Sequence, residues 1–152
     1  MFSYDRYLYF RETDAAGVVY FSEVLNLCHE VYEASLRRAG IDLKLFFSPQ
    51  GSTIVPIVHA EVDFFQPLSC GDRIWVDLTL NDSDPPNSST LSPATQFELA
   101  YTLYATAERN DRPVAQAKTS HVCLNAATRR REDYREYLGE WMLLLVSSEV
   151  FS

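Results

Sequence analysis

Hydrophobic residues recur along this chain with two different periods, and the changes between them mark out its elements. Tyr4 to Phe10 alternates, with Tyr4, Arg6, Leu8 and Phe10 on one face and Asp5, Tyr7 and Tyr9 on the other. Period two with this many aromatics predicts a strand. Arg11-Glu12-Thr13-Asp14-Ala15-Ala16-Gly17 breaks the alternation with small residues and a glycine open to backbone angles closed to other residues. From about Ser22 the step lengthens: Val24, Leu25, Cys28, Val31, Tyr32, Ser35, Leu36 and Ala39 form one broad helical face. Ser22 is placed to cap that helix, Arg37 and Arg38 suit the negative end of its dipole, and Gly40 is placed to end it.

Ile41 to Thr53 mixes Phe46, Phe47, Pro49 and Gly51 and predicts a short helical turn and a loop. Four runs with strand character follow: Ile54 to Phe65, Arg73 to Leu80, Gln96 to Ala107 and Pro113 to Asn125. The polar link Arg109-Asn110-Asp111-Arg112 reads as a hairpin turn. Residues 81–94, rich in Ser, Asn, Asp and Pro, read as a mobile loop. The tail beyond Arg131 carries Tyr134, Tyr137, Leu138, Trp141 and Met142 and predicts a second helix. With no internal repeat, residues 1–152 are expected to form one α+β domain with 131–152 as a helical tail. A lone amphipathic helix must bury its stripe, and a curved antiparallel sheet of about five strands wrapped around it is the available partner. Such a sheet leaves edge strands, and edge-to-edge pairing of two copies removes them, so a homodimer is expected.

Composition narrows the function classes. A hydrophobic fraction of 47% and a charged fraction of 22% are those of an ordinary globular domain. The formal charge of -8 argues against bulk nucleic-acid binding, which needs clustered cations. The longest apolar run, Trp141 to Val146, is far short of the roughly 20 residues that span a bilayer, and Met1 to Arg6 lacks the order of a signal peptide. The expectation is a cytoplasmic protein with no membrane or nucleic-acid partner. Cys28, Cys70 and Cys123 are odd in number and widely spaced, and read as free thiols rather than a disulfide or zinc framework. His29, His59 and His121 lack paired ligand spacing, and no Gly-x-Ser-x-Gly elbow is present, which disfavours a metal hydrolase and a serine hydrolase. No cofactor is implied.

The segment Thr13 to Phe21 carries the most chemistry. It sets the Asp14 carboxylate just before a long helix, where free backbone N–H groups and the positive end of the dipole collect. A carboxylate beside a carbonyl-polarising site is the minimum kit for acyl transfer. Read from residue types alone, however, an Asp among small residues before a helix is more often a turn or capping residue.

Asp14-Ala15-Ala16-Gly17-Val18-Val19-Tyr20-Phe21 resembles the Asp-x-x-Gly-(Val/Ile)-(Val/Ile)-aromatic-aromatic signature of 4-hydroxybenzoyl-CoA thioesterase-like hotdog proteins. His59-Ala60-Glu61-Val62-Asp63-Phe64-Phe65-Gln66-Pro67, Cys70-Gly71-Asp72-Arg73 and His121-Val122-Cys123-Leu124 fit the same group, and the whole is most similar to its cyanobacterial and plastid 1,4-dihydroxy-2-naphthoyl-CoA thioesterase branch. The resemblance runs from about Tyr4 to Arg131. It implies the hotdog fold, hydrolysis of an aromatic acyl-CoA in phylloquinone synthesis, Asp14 as nucleophile or general base, and a carbonyl polarised by backbone amides around Gly17 to Phe21. An Asp with its ordinary pKa near ~3.9 is a weak base, which favours direct attack unless burial raises it.

Other site residues are weighed as follows. Gly17, Tyr20 and Phe21 are expected beside the acyl group, although residues such as Tyr20 and Phe21 are more often core than ligand shelf. His59 and Asp63 lie four apart on a strand and share a face. His59 is either a site residue or an ordinary strand histidine, and Asp63 either binds a substrate hydroxyl or forms a structural pair. Arg129 and Arg130, with Lys118 as a weaker candidate, are expected to hold the CoA phosphates; the same run of cations also fits a solvated loop. A homodimer, extended to a homotetramer as a dimer of dimers, is the expected assembly. A fatty acyl-CoA thioesterase and a non-catalytic acyl-CoA-binding hotdog protein remain the alternatives.

Overall fold

The structure, a computed structural model, describes residues 1–81, 93–109 and 112–146. In chain order its elements are β1 (Phe2–Tyr7), α1 (Phe21–Arg38), α2 (Leu43–Phe46), β2 (Thr53–Ile54), β3 (Ile57–Phe64), β4 (Arg73–Leu80), β5 (Gln96–Tyr104), β6 (Ala115–Val122), β7 (Leu124–Asn125) and α3 (Arg135–Val146), with a 3-10 turn at Phe10–Glu12. Five strands form one antiparallel sheet in the order β1-β4-β5-β6-β3, and β2 pairs with β7 apart from it.

The long helix buries Val24, Leu27, Cys28, Val31, Tyr32, Ser35 and Leu36, a stripe at three- and four-residue steps. Facing it are the inward residues of three adjacent strands: Ile74, Val76 and Leu78, then Phe97, Leu99, Tyr101 and Leu103, then Ala115 and Ala117. The stripe differs from the sequence reading at one point, since Leu27 is buried where Leu25 is only half-buried. Ser22 does not cap the helix: it lies inside the first turn, and Tyr20 holds the cap position without a side-chain hydrogen bond. The far end closes as expected. Gly40, at φ +81°, donates to the Arg37 carbonyl, and the Ile41 amide donates to that of Leu36, which is the paired-bond ending that favours glycine.

Two strand expectations change. The first strand starts at Phe2 and stops at Tyr7, so Phe10 leaves the face it shares with Leu8 in the alternating pattern: Leu8 is buried and Phe10 is 81% exposed. The cause is Glu12, whose carboxylate accepts from the Tyr9 amide at 2.7 Å and folds the chain into the 3-10 turn. The run Ile54 to Phe65 splits around Pro56, which has no N–H to give to a ladder. Its first part joins β7 and its second becomes β3, with a register shift between Ile57 and His59. The hairpin link at 110–111 and most of the Ser/Pro stretch at 81–94 lie outside the described residues.

The C-terminal helix is part of the core rather than an appendage. Leu138, Trp141, Met142 and Leu145 are buried, and the Trp141 indole N–H donates to Ser35 Oγ at 2.9 Å, tying α3 to α1. Among the described residues no helix is long and apolar enough to cross a membrane.

His121 is wholly buried, stacked on Phe97 and hydrogen-bonded through Nε2 to Thr119 Oγ1 at 2.8 Å. Burial, with a smaller contribution from His29, lowers its pKa from 6.5 to about 4. The unfolded chain therefore binds this proton more readily. His121 contributes stability that is whole above about pH 6.5 and is lost as pH falls through about 4, in total about 3 kcal/mol. Urea unfolding at pH 7 and pH 4.5 is expected to show a smaller pH dependence in His121→Gln than in the parent; identical dependences would contradict the assignment.

Candidate active site

The Asp14 loop is pinned at both ends before α1 begins. Thr13 and Val19 form a bridge, the Asp14 amide donates to the Val18 carbonyl at 2.8 Å, and the Tyr20 amide donates to the Glu12 carbonyl at 2.8 Å. Gly17 takes φ +79°, which lets the chain reverse inside this small hairpin, and its amide donates to the Asp14 carbonyl at 3.1 Å. The Asp14 carboxylate accepts from the Ala16 amide at 2.8 Å and the Val18 amide at 3.4 Å through the same oxygen, Oδ1. The side chain is exposed in the protomer. It is a turn residue by geometry, in the hairpin that leads directly into the helix.

Four amides of the expected carbonyl-polarising stretch are already engaged. Those of Gly17 and Val18 bond Asp14, that of Val19 bonds the Leu68 carbonyl at 2.7 Å, and that of Tyr20 bonds Glu12. The first-turn amides of Phe21 and Ser22 are the ones a helix leaves without an internal acceptor. Tyr20 and Phe21 are exposed, at 47% and 61%, with ring centroids 4.7 Å apart, so they form a surface and not a core pair.

The remaining sequence candidates spread over the sheet. His59, Glu61 and Asp63 stand opposite Ser120, Lys118 and Gln116, on the face turned away from α1. His59 lies 3.4 Å from Glu61, and Asp63 is exposed there, so no burial penalty argues for a partner. Lys118 is on the same face, 3.5 Å from Glu61 and 3.8 Å from Glu98. Arg129, at φ 61°, and Arg130 are exposed in the turn between β7 and α3. Lys118 is thus four strand residues before the end of β6, roughly 13 Å along it, and does not join the arginine pair. Within one protomer neither group meets Asp14.

Two features were not visible in the sequence. A groove of about 310 Å³ beside the loop is lined by Val18, Val19, Val24 and the run Phe64 to Leu68, so the end of β3 abuts the Asp14 hairpin. Beneath the loop lies an ion-pair network. Arg6 bonds Glu12 through both terminal nitrogens and reaches Glu30 on α1 at 3.1 Å, and the Tyr4 hydroxyl also donates to Glu30. Burial pushes the Glu12 carboxyl upward, but hydrogen bonds from Arg6 and the Tyr9 amide, together with the Arg6 and Arg11 charges, outweigh it and hold the pKa below its ordinary value. Alternation marked Tyr4 and Arg6 as sharing a face, and nothing in it marked a partner on the helix.

A five-stranded antiparallel sheet laid over one long helix is the hotdog architecture. Residues 8–142 match the thioesterase-like superfamily, and the chain belongs to that family. It is 45% identical over 150 residues to the 1,4-dihydroxy-2-naphthoyl-CoA hydrolase of Rippkaea orientalis, covering 98% of this chain and 100% of that one. It is 42% identical over 141 residues to the enzyme of the same name from Synechococcus elongatus, covering 93% and 94%. The crystal structure of Slr0204, a 1,4-dihydroxy-2-naphthoyl-CoA thioesterase from Synechocystis, superposes with a TM-score of 0.79 at 34% identity, over 96% of this chain and 98% of that one.

Because the Arg6–Glu12 pair is largely withdrawn from water, at 12% and 6% side-chain exposure, removing one charge leaves the other without compensation. Glu12→Gln is expected to cost about 3 kcal/mol in urea unfolding and to loosen the Asp14 hairpin. A loss below about 1 kcal/mol would place the pair among ordinary screened surface contacts.

Proposed function

We propose that this chain is an acyl-CoA thioesterase that hydrolyses 1,4-dihydroxy-2-naphthoyl-CoA to 1,4-dihydroxy-2-naphthoate and CoA, the step its relatives' names describe, in phylloquinone synthesis in the cytoplasm. The observation that carries the reading is the Asp14 carboxylate, held by the Ala16 and Val18 amides at the mouth of α1. Its second oxygen, Oδ2, faces the thioester carbonyl. The Phe21 and Ser22 amides, at the positive end of the dipole, receive the charge that builds on the carbonyl oxygen. Attack forms a tetrahedral adduct, the carbon–sulfur bond breaks, and CoA leaves as a thiolate that takes a proton from water. Water then cleaves the mixed anhydride, returning Asp14 and releasing the acid. Tyr20 and Phe21 give the substrate a flat apolar shelf, Gly17 shapes the turn that holds Asp14, and Arg129 and Arg130 bind the CoA phosphates.

The working unit in this reading is a homodimer, with two dimers forming a tetramer. The support is β3, which ends the sheet and is exposed along nearly its whole length, with Ile57 at 42%, Val58 at 60% and Phe64 at 49%. An apolar edge of this kind calls for a partner. Antiparallel pairing of two β3 edges sets the start of one beside the end of the other. It therefore brings His59 of a second copy toward the Asp14 hairpin, which abuts Phe64, and covers a carboxylate that stands open in the lone protomer.

Three measurements test these statements. Asp14→Asn is expected to lower kcat for naphthoyl-CoA by about a thousandfold or more with an unchanged circular dichroism spectrum; a fall of less than tenfold would remove Asp14 from the chemistry. A parallel panel of benzoyl and medium-chain fatty acyl-CoAs is expected to rank below the naphthoyl substrate, and a fatty acyl preference would overturn the substrate assignment. By light scattering after gel filtration the parent is expected to run as a dimer or tetramer. Val58→Lys, which puts a charge on the β3 edge, is expected to shift it toward monomer with loss of turnover.

A further inference from the structure

The groove beside Asp14 is lined by Val18, Val19, Val24 and the run Phe64 to Leu68, none of which titrates. The Glu12 carboxylate, two residues before Asp14, is taken up by Arg6 and the Tyr9 amide. Asp72, beyond the Val18–Ser69 bridge, is held by the Ser69 amide at 2.8 Å. Hydrolysis of an anhydride on Asp14 needs a water that can lose a proton. Among the described residues of one protomer, these elements supply no free base for it.

His121 is wholly buried, and His59 stands on the outer face of the sheet near Glu61. His29 is placed differently. It lies on the flank of α1 that faces β3, in a cleft shared with Asn26, Ile57 and Ala60. Its ring meets Tyr32 edge-on at 5.6 Å and Phe47 at 5.9 Å, yet the side chain is 41% exposed. Nδ1 lies 3.1 Å from Glu33 Oε1. A carboxylate only accepts, so in the neutral ring Nδ1 carries the hydrogen and Nε2 keeps its lone pair. A histidine oriented by a carboxylate in this way is equipped as a general base.

The edge of the sheet decides what this base can reach. Val24 shares its groove with Phe64 at the Asp14 end of β3, and His29 shares its cleft with Ile57 and Ala60 at the other end. Antiparallel pairing of two β3 edges uses a two-fold axis perpendicular to the sheet, which reverses the strand and leaves both inner faces on the same side. The Ile57 end of a second copy then arrives at the Phe64 end of the first, and its His29 comes alongside the Asp14 groove. His59 of that copy comes with it, but on the outer face.

We propose that His29 of the partner subunit, oriented by its own Glu33, is the base of the second half-reaction, so that each Asp14 site is completed by the other copy. This rests on the thioesterase and dimer reading above. A water oxygen attacks the acyl carbon of the mixed anhydride while His29 Nε2 takes one of its protons. The carbon–oxygen bond to Asp14 breaks, its electron pair returns to that carboxylate, and the free acid leaves. His29 then gives the proton to solvent. One water is consumed and no other reactant is needed.

Subunit complementation tests this, read as release of CoA thiol from 1,4-dihydroxy-2-naphthoyl-CoA. His29→Ala is expected to lower kcat about 100-fold. It is expected to show an initial burst of about one thiol per Asp14, because the anhydride forms and then waits for water. Asp14→Asn and His29→Ala co-expressed at equal levels pair at random, so about half of the dimers are mixed and each mixed dimer holds one site with both residues. About one quarter of the parent activity is therefore expected to return. An ordinary surface pair of His29 with Glu33 would slow turnover with no return on mixing. If His29→Ala does not fold, His29→Gln, which can still donate to Glu33, takes its place. A fall in kcat of less than about threefold, release without a burst, or mixed protein no more active than the separate variants overturns the proposal and leaves the thioesterase reading standing. No thiol release by the parent overturns that reading instead.

Discussion

The burial of one helical stripe against one curved sheet sets every other distance in this protein. Val24, Leu27, Cys28, Val31, Tyr32 and Leu36 can leave water only by lying on the inward residues of β4, β5 and β6. That contact fixes how far α1 extends past the sheet and where its positive end emerges. The Asp14 hairpin inherits its position from this fit. It is tied to β1 and α1 through Arg6, Glu12 and Glu30, and to the loop after β3 through the Val19 amide. A shift of the helix would move the hairpin and the first-turn amides together.

The same packing explains why the core tolerates polar groups. Tyr101, Thr119 and His121 point inward from adjacent strands, where Leu or Val would pack at least as well. Tyr32 and Trp141 meet them from the two helices, and Trp141 finds its partner in Ser35. Burial keeps His121 neutral at physiological pH. The interior thus carries a small cluster of fixed dipoles within an otherwise apolar core.

The edge of the sheet carries the opposite lesson. On β3, Glu61 lies near Lys118 and His59 near Glu61 on the outer face, while Ile57, Val58 and Phe64 stay exposed. A strand that neither buries itself nor protects its edge with charge along its whole length leaves backbone groups open to pairing.

By itself the sequence determined most of the elements and the residue pattern of the loop. The three- and four-residue spacing of α1, its ending at Gly40, the strand over 73–80 and the Asp14–Phe21 motif are local properties, encoded by residues close in the chain. Only the tertiary structure decided which of these meet. Alternation could not show that Glu12 would fold the first strand short and swing Phe10 outward, because the Arg6 that anchors Glu12 is itself anchored to α1. Pro56 was in view, but that it parts two strands joining different sheets depends on β7. Tyr101, Thr119 and His121 share one face because of sheet register, a sum of many distant pairings, and packing of α1 sets Tyr32 against them. Local sequence specifies periods, and long-range packing specifies neighbours.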